Sequence, residues 1–341
     1  MTGIRQLADH LNISIGTVSR ALNDKPDVRE ETRKRVLAAA QELGYFANHS
    51  GRSLRKGTTN TAGFMIELDP QTAVNSDNFF MGVFDGVKRA LSPVDMDLVI
   101  LPCSTDERPS AFLRRMVARG IVEGVILSAT LRNDDRIEFL RRAQMPFVAL
   151  GRTGISNQFS WIDLDFEGFV RQSVDRLAAF GHQRIAIAVP ESEINLRYVL
   201  ERSYRREMKR RGLSFPTDYL LRTDSVDRAD GTLGDRLLAL APRPTAIILG
   251  YELMALGLYH RLEALGIVPG RDLSIIGLRE SPQSMSLFPR LTCFRIDLPK
   301  LGHALGAALL RSIPAHTVEL GRHTATRWPM QLVPGDSDGP V

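Results

Sequence analysis

The stretch Ile4 to Asn23, IRQLADHLNISIGTVSRALN, decides what kind of molecule this chain is. Ile4, Leu7, Ala8 and Leu11 fall at i, i+3, i+4 and i+7, the stripe of a short helix with one buried face. Asn12-Ile13-Ser14 breaks that period. Ser14 suits an N-cap, because its hydroxyl can accept one of the amide protons that open a helix, and the helix it opens turns Val18, Ala21 and Leu22 inward. Ile15, Gly16, Thr17, Ser19 and Arg20 are left facing out. Two short helices joined by a turn of three to four residues, the second carrying small polar residues and an arginine on its free face, form a helix-turn-helix, whose second helix enters the major groove of DNA. A third helix is expected to start at Pro26-Asp27-Val28, to pack through Val36, Leu37, Ala40 and Leu43, and to end at a left-handed Gly44. On pattern alone a three-helix unit without a ligand stays open.

The charge distribution agrees with a nucleic-acid partner. Residues 1–57 hold ten Lys/Arg against six Asp/Glu, so +4 of the formal +5 sits in the first sixth of the chain. Concentrated positive charge is what contact with phosphates requires, although it would be weak evidence without the helix pattern. With 341 residues and 43% hydrophobic content the chain can build two or three domains. Its two cysteines, Cys103 and Cys293, are far apart and form no C-x-x-C pair, so neither a disulfide framework nor a metal site is expected. The seven histidines show no H-E-x-x-H spacing, and there is neither a phosphate loop nor a G-x-G-x-x-G string. Nothing reads as a signal peptide or a membrane span, and no cofactor is expected. A cytoplasmic location follows as an expectation.

Ile4-Arg5-Gln6-Leu7-Ala8, the run from Ser14 to Asn23, Leu43-Gly44-Tyr45 and Gly51-Arg52-Ser53-Leu54 resemble the head and hinge of the lactose-repressor (LacI/GalR) family of bacterial transcription regulators. The resemblance implies a head at 1–46, a hinge at 47–57 and an effector-binding, dimerising core at 58–341. It implies DNA contacts from Ser14, Ile15, Gly16, Thr17, Ser19, Arg20, Asn23, Tyr45, Asn48, Arg52, Ser53 and Leu54. Leu54 falls where such proteins wedge a leucine into the minor groove, which unstacks and kinks the duplex. Gly51 stands where alanine is common and Ala47 where proline is common. Since glycine is less favourable than alanine in a helix by roughly 1 kcal/mol, the hinge helix should depend heavily on DNA.

From Thr61 onward, short apolar runs alternate with amphipathic stretches, the layout of an α/β fold with parallel sheets. Thr61–Leu68, Asp97–Cys103, Gly124–Ser128 and Phe147–Leu150 read as strands, separated by helices at Phe79–Leu91, Ala111–Arg119 and Asp134–Ala143. A second set has strands near Ile185–Val189, Ala246–Leu249 and Ser274–Gly277, with helices near Phe169–Phe180, Arg197–Arg211, Asp230–Leu240 and Glu252–Leu265. Thr292–Arg295 and Trp328–Leu332 are late strands able to cross back. This is the order of a two-subdomain core like that of periplasmic binding proteins, which the resemblance also implies. The expected division is 58–160 with 293–325, and 161–292 with 326–341.

Ligands of open α/β sheets lie beyond the carboxyl ends of the strands, which places an effector between the subdomains. By position, Asn78, Phe79, Phe80, Arg152, Trp161, Leu200, Tyr251 and Arg279 are the candidate contacts. Two of them depart from the family. Arg279 stands where Asp is common, and Leu200 where Arg is common. Aspartate accepts hydrogen bonds from sugar hydroxyls, whereas arginine only donates and is always charged. A neutral sugar is the first expectation and a phosphorylated or acidic sugar the alternative; a surface Arg279 paired with Glu280 or Glu252 is the other reading of that residue, and Phe79 and Phe80 fit ordinary helix core as well as they fit the cleft. The basic run Arg202, Arg205, Arg206, Lys209, Arg210 and Arg211 reads as a solvated helix face, since Tyr204 and Met208 give that helix an inward side.

The chain is therefore expected to be a homodimeric, ligand-responsive repressor of a pseudo-palindromic operator, and not an enzyme. A Rossmann-type sugar or nucleotide enzyme fused to a DNA head would need a phosphate loop. A solute-binding protein would need a secretion signal and no head.

Overall fold

The computed structural model describes residues 3–22, 24–45, 59–68, 79–154, 158–223, 232–316 and 323–341. The chain forms two compact units that divide between Thr59 and Asn60. The first is a trihelical head of α1 (Ile4–Leu11), α2 (Ile15–Leu22) and α3 (Glu30–Glu42). Its core is Leu7, Ala8, Val18, Ala21, Val28, Val36, Ala39 and Ala40, so both expected stripes point inward. Two details differ. Helix α3 begins at Glu30, because a left-handed Asp24 (φ +50) and the turn closed by the Val28 amide on the Lys25 carbonyl place Pro26 to Val28 in the connection. Leu37 is 47% exposed and does not pack; Val36, Ala39 and Ala40 form the inward face instead. Gly44 does adopt the left-handed conformation, at φ +58.

The second unit runs β1 (Thr61–Glu67), α4 (Phe79–Leu91), β2 (Asp97–Cys103), α5 (Pro109–Ala118), β3 (Gly124–Leu127), α6 (Asp135–Arg142), β4 (Phe147–Leu150) and β5 (Ser160–Leu164). It continues with α7 (Phe166–Ala179), β6 (Ile185–Pro190), α8 (Asn195–Arg210), β7 (Leu220–Thr223), α9 (Thr232–Leu238), β8 (Ala246–Leu249), α10 (Met254–Ala264) and β9 (Ser274–Gly277). It closes with α11 (Pro282–Met285), β10 (Cys293–Arg295), α12 (Leu298–Ser312), β11 (Ala325–Trp328) and β12 (Gln331–Val333). A six-stranded sheet has the order β11-β5-β4-β3-β1-β2 and a four-stranded sheet the order β7-β6-β8-β9. Every pairing within these two sheets is parallel, and β10 pairs antiparallel with β12. The central strands β3, β4, β6, β8 and β9 are buried along their whole length, as a sheet covered by helices on both sides demands.

The expected boundary at residue 160 is displaced. Strand β5 pairs with β4, and β11 pairs with β5, so Trp161 to Leu164 and Arg327-Trp328 belong to the first sheet. The polar Ser160 and Asp163 hide the apolar character of β5, and Arg222 does the same for β7, which had no counterpart in the sequence reading. Trp328–Leu332 is not one strand: Pro329, which has no amide proton to give a ladder, separates β11 from β12. Helix α12 was also absent from the reading, because Pro299, Gly302 and Gly306 lower its intrinsic helix propensity.

Those glycines have a use. Helices α4 and α12 touch backbone to backbone: a Cβ on Gly86 would lie 2.0 Å from the carbonyl oxygen of Pro299, and one on Gly302 2.0 Å from that of Val83. Near the other end of the chain, Ser337 donates to the Ile275 carbonyl at 2.6 Å and accepts the Thr292 amide at 2.8 Å, while Asp338 binds Arg176. His182 is buried beside this segment, its ring nitrogens 2.9 Å from Thr245 Oγ1 and 2.9 Å from Ser274 Oγ. Burial holds its pKa below the ordinary value. The unfolded chain then binds the proton more readily, so the His182 contribution is present above about pH 6.5 and is lost as pH falls below it. Thermal melts across that range are expected to show a smaller decline in His182→Gln than in the parent chain; an equal decline would assign the effect elsewhere.

Candidate DNA-reading face and effector cleft

Helix α2 is opened by Ser14, whose Oγ accepts the Thr17 amide at 3.1 Å and lies 2.9 Å from Thr17 Oγ1. The Thr17 hydroxyl thus shares one hydrogen bond with the cap and keeps capacity for others. Val18 and Ala21 are buried, and this fixes which side of α2 faces water. Ile15 is 41% exposed, and Ser14, Gly16 and Arg20 are exposed beside it. Arg20 lies 3.6 Å from Asp27 with both side chains more than half exposed, a solvated pair that a phosphate or a base edge can replace. Tyr45 instead packs against the head core. Asn23, Asn48, Arg52, Ser53 and Leu54, and with them the expected hinge, lie outside the described residues, as does Asn78.

In the core, buried guanidinium groups cluster just beyond strand ends. After β4, Arg152 donates to Asp163 at 2.8 Å and to Glu167 at 2.6 Å, with its guanidinium 5.6 Å from the Trp161 ring centroid. All three charged groups are nearly buried, and burial pushes the Asp163 carboxyl up to about 6. Arg152 is thus consumed by two carboxylates, and Trp161, in β5, faces that arginine. After β3, Arg136 is likewise held by Asp134 at 2.7 Å and Glu67 at 2.6 Å.

Beyond the second sheet, Arg279 follows β9 and donates to Glu252 Oε1 at 2.5 Å, while its guanidinium lies 4.9 Å from the centroid of the Phe79 ring at the start of α4. Phe79 meets Phe80 edge-on at 5.3 Å, and Phe80 stacks on Phe84 and meets Phe64, so Phe80 is the foot of an aromatic cluster. Arg279 is not on the surface: its side chain is 7% exposed and that of Glu252 1%. Burial lowers the guanidinium to about 10 and raises the Glu252 carboxyl to about 7. Glu280, the other partner the sequence allowed, is bound by Arg295 at 2.6 Å. The second oxygen of Glu252 is buried and has no hydrogen-bond partner among the described residues. Leu200 is fully buried, and a Cβ on Gly250 would come within 2.6 Å of its Cδ1, so it fills the core beneath the end of β8 and offers a ligand no surface. Tyr251 is half-buried at that same strand end.

The sequence names Glu252 as one of two possible partners of Arg279, and the structure pairs them, but it gives no sign of the two carboxylates that hold Arg152. Asp163 and Glu167 were eleven and fifteen residues from Arg152 in the chain, and only the β5–α7 connection brings them back.

Comparison with known proteins places these features in context. Residues 3–48 match the model for bacterial regulatory proteins of the lacI family, and residues 174–337 match a periplasmic binding protein-like domain. The HTH-type transcriptional regulator RafR of Escherichia coli is 31% identical over 270 residues, covering 79% of this chain and 79% of that protein. The structure of the transcriptional regulator CelR in complex with cellobiose superposes with a TM-score of 0.73 at 25% identity, covering 99% of this chain and all of that one. The lac repressor dimer bound to operator and an anti-inducer shares the fold, with a TM-score of 0.84 at 21% identity over 98% of both chains.

Proposed function

Because this chain belongs to the lacI family of bacterial regulatory proteins, we propose that a small carbohydrate bound between its core subdomains sets the grip of its head on operator DNA. The protein is a DNA-binding transcription regulator and not an enzyme. It acts as a homodimer, since one recognition helix reads one half-site and two must be held at a fixed spacing, and the operator is then pseudo-palindromic. Its place of work is the cytoplasm, where bacterial DNA is.

The observation that carries the effector reading is the buried Oε2 of Glu252, without a hydrogen-bond partner among the described residues, beside Arg279 and Phe79. A buried carboxylate oxygen left without a donor costs free energy, which a ligand hydroxyl would recover. The neighbouring apolar ring suits the carbon face of a sugar. Arg279 is neutralised by Glu252, so this end of the cleft favours hydroxyl groups over an anion; the acidic-sugar alternative loses the residue on which it rested. The cellobiose held by CelR supports the same ligand class. Thermal-shift screening against neutral mono- and disaccharides tests it, because a bound ligand raises apparent stability by mass action. A hit that survives in Glu252→Gln with unchanged affinity would remove Glu252 from the site.

On the DNA side, Arg20 and Thr17 are the proposed reading residues. Ile15 can meet thymine methyl groups, and Gly16 brings no side chain and so relaxes discrimination at its position. Arg20→Ala is expected to weaken operator binding by ~1–3 kcal/mol if the guanidinium reads a base. Fluorescence anisotropy with the chain's own upstream region measures this, and an unchanged affinity would exclude Arg20.

A further inference from the structure

The loop that leaves β3 is built as a rigid arm. Ala129 holds the left-handed conformation at φ +50, which an alanine adopts only where its surroundings impose it. The buried Arg136 does so, donating to the Ser128 and Ala129 carbonyls at 3.1 Å each, while Asp134 accepts the Leu131 amide at 3.1 Å. Thr130 Oγ1 donates to the Arg152 carbonyl at 3.0 Å, and the Gly154 amide donates to that of Arg132 at 2.9 Å, so the arm is also tied to the segment after β4. All of these partners belong to the half of the core built on the six-stranded sheet.

The tip of the arm meets the other half at the start of α8. Leu131 and Ile194 face each other in an antiparallel bridge, and the Asn195 amide donates to the Thr130 carbonyl at 2.8 Å. Asn195 is the first residue of α8, so its amide has no acceptor within the helix, and the acceptor it finds belongs to the opposite half. One turn on, the Tyr198 ring receives two guanidinium groups, that of Arg197 from its own helix at 4.4 Å and that of Arg132 from the arm at 4.6 Å. The Tyr198 hydroxyl is held by Arg197 at 2.6 Å and by Glu193, which fixes the ring for that contact.

The chain passes between the halves through the β5–α7 connection, through β10 and through β12, and the arm lies at none of these. A rotation of one half on the other about those passages changes the separation of Thr130 and Asn195, and a hydrogen bond of this kind is lost within about 1 Å of extra distance. The contact is therefore made in one posture and broken in another. Every group in it belongs to the protein, so it acts whether or not a small molecule is bound. We propose that the arm Thr130–Arg132 and the helix start Ile194–Tyr198 form a clasp that fixes the resting posture of the core, with Arg132 and Tyr198 as its positioning residues. The consequence for DNA rests on the coupling proposed above, in which the posture of the core sets the grip of the head.

The double substitution Leu131→Cys/Ile194→Cys tests the clasp, since opposed residues of an antiparallel bridge lie close enough for a disulfide and the two native cysteines are buried. In the full-length protein equilibrated with glutathione redox buffers, the pair is expected to oxidise readily. Its effective concentration should fall about threefold when Arg132→Gln or Tyr198→Leu removes the ring contact, and stay near the parent value in Tyr198→Phe, which keeps the ring. Arg132 is exposed, so Arg132→Gln should melt like the parent chain. The oxidised protein should bind operator DNA as the reduced protein does, within about twofold, because the reduced protein is already clasped. A pair that resists oxidation, an effective concentration indifferent to both substitutions, or a cross-link that shifts operator affinity by more than that would each overturn the proposal. A fall in effective concentration with no change in the operator affinity of Arg132→Gln would leave the clasp standing and sink the coupling instead.

Discussion

Gly302→Val is expected to destabilise the core by at least ~3 kcal/mol, enough to leave most of the chain insoluble. The reason is steric and local. At this position even a Cβ would stand 2.0 Å from the Val83 carbonyl oxygen and 3.0 Å from the Gly86 Cα. Both obstacles are backbone, so no rotamer change relieves them, and α4 and α12 would have to separate along their length. Gly3→Ala, where nothing lies within 4 Å, is a control without a clash and, at the N-cap of α1, should cost no more than about 1 kcal/mol. Chemical denaturation of both variants decides the matter; a loss below about 1 kcal/mol for Gly302→Val would mean that the two helices slide apart easily.

Arg152→Met is the second large effect, expected at ~3–5 kcal/mol because two buried carboxylates lose their counter-charge. The sign of its pH dependence follows from Asp163, whose carboxyl is raised to about 6 even beside the arginine. A raised carboxyl is most compatible with the fold when protonated, so stability is lost as pH rises through the folded-state value, and without the guanidinium that value climbs further. The variant should therefore lie closer to the parent chain at about pH 5 than at about pH 8. Adding Asp163→Asn and Glu167→Gln should recover most of the deficit, since the uncompensated charges are then gone. If the triple variant is no more stable than Arg152→Met alone, packing and not electrostatics is the cause.

These two positions also mark where the sequence could and could not be read. The head was legible because its information is local: Ser14, Val18 and Ala21 lie within two helical turns, and period and cap chemistry need nothing from elsewhere. The same holds for β1, β2, β4, β8 and β9, continuous apolar runs bounded by turn residues. Helix α12 was not legible, because glycines that weaken a helix in isolation are tolerated only when another backbone lies against them. Arg279 was found by position, yet its meaning changed: the chain shows a charged residue at a strand end, while burial beside Glu252 turns it from an anion receptor into half of a neutral pair.

The six-stranded sheet has its outermost strand, β11, laid down only after all four strands of the other sheet, and β10 and β12 pair across the last two of the three passages between the halves. Neither half is therefore a self-sufficient folding unit. Expressing residues 60–164 alone would leave β5 with an open edge, a template for adhesion to other chains. A protease nick in any one passage would leave the halves clasped by the remaining two, so a cleaved core should still migrate as one particle until it is denatured.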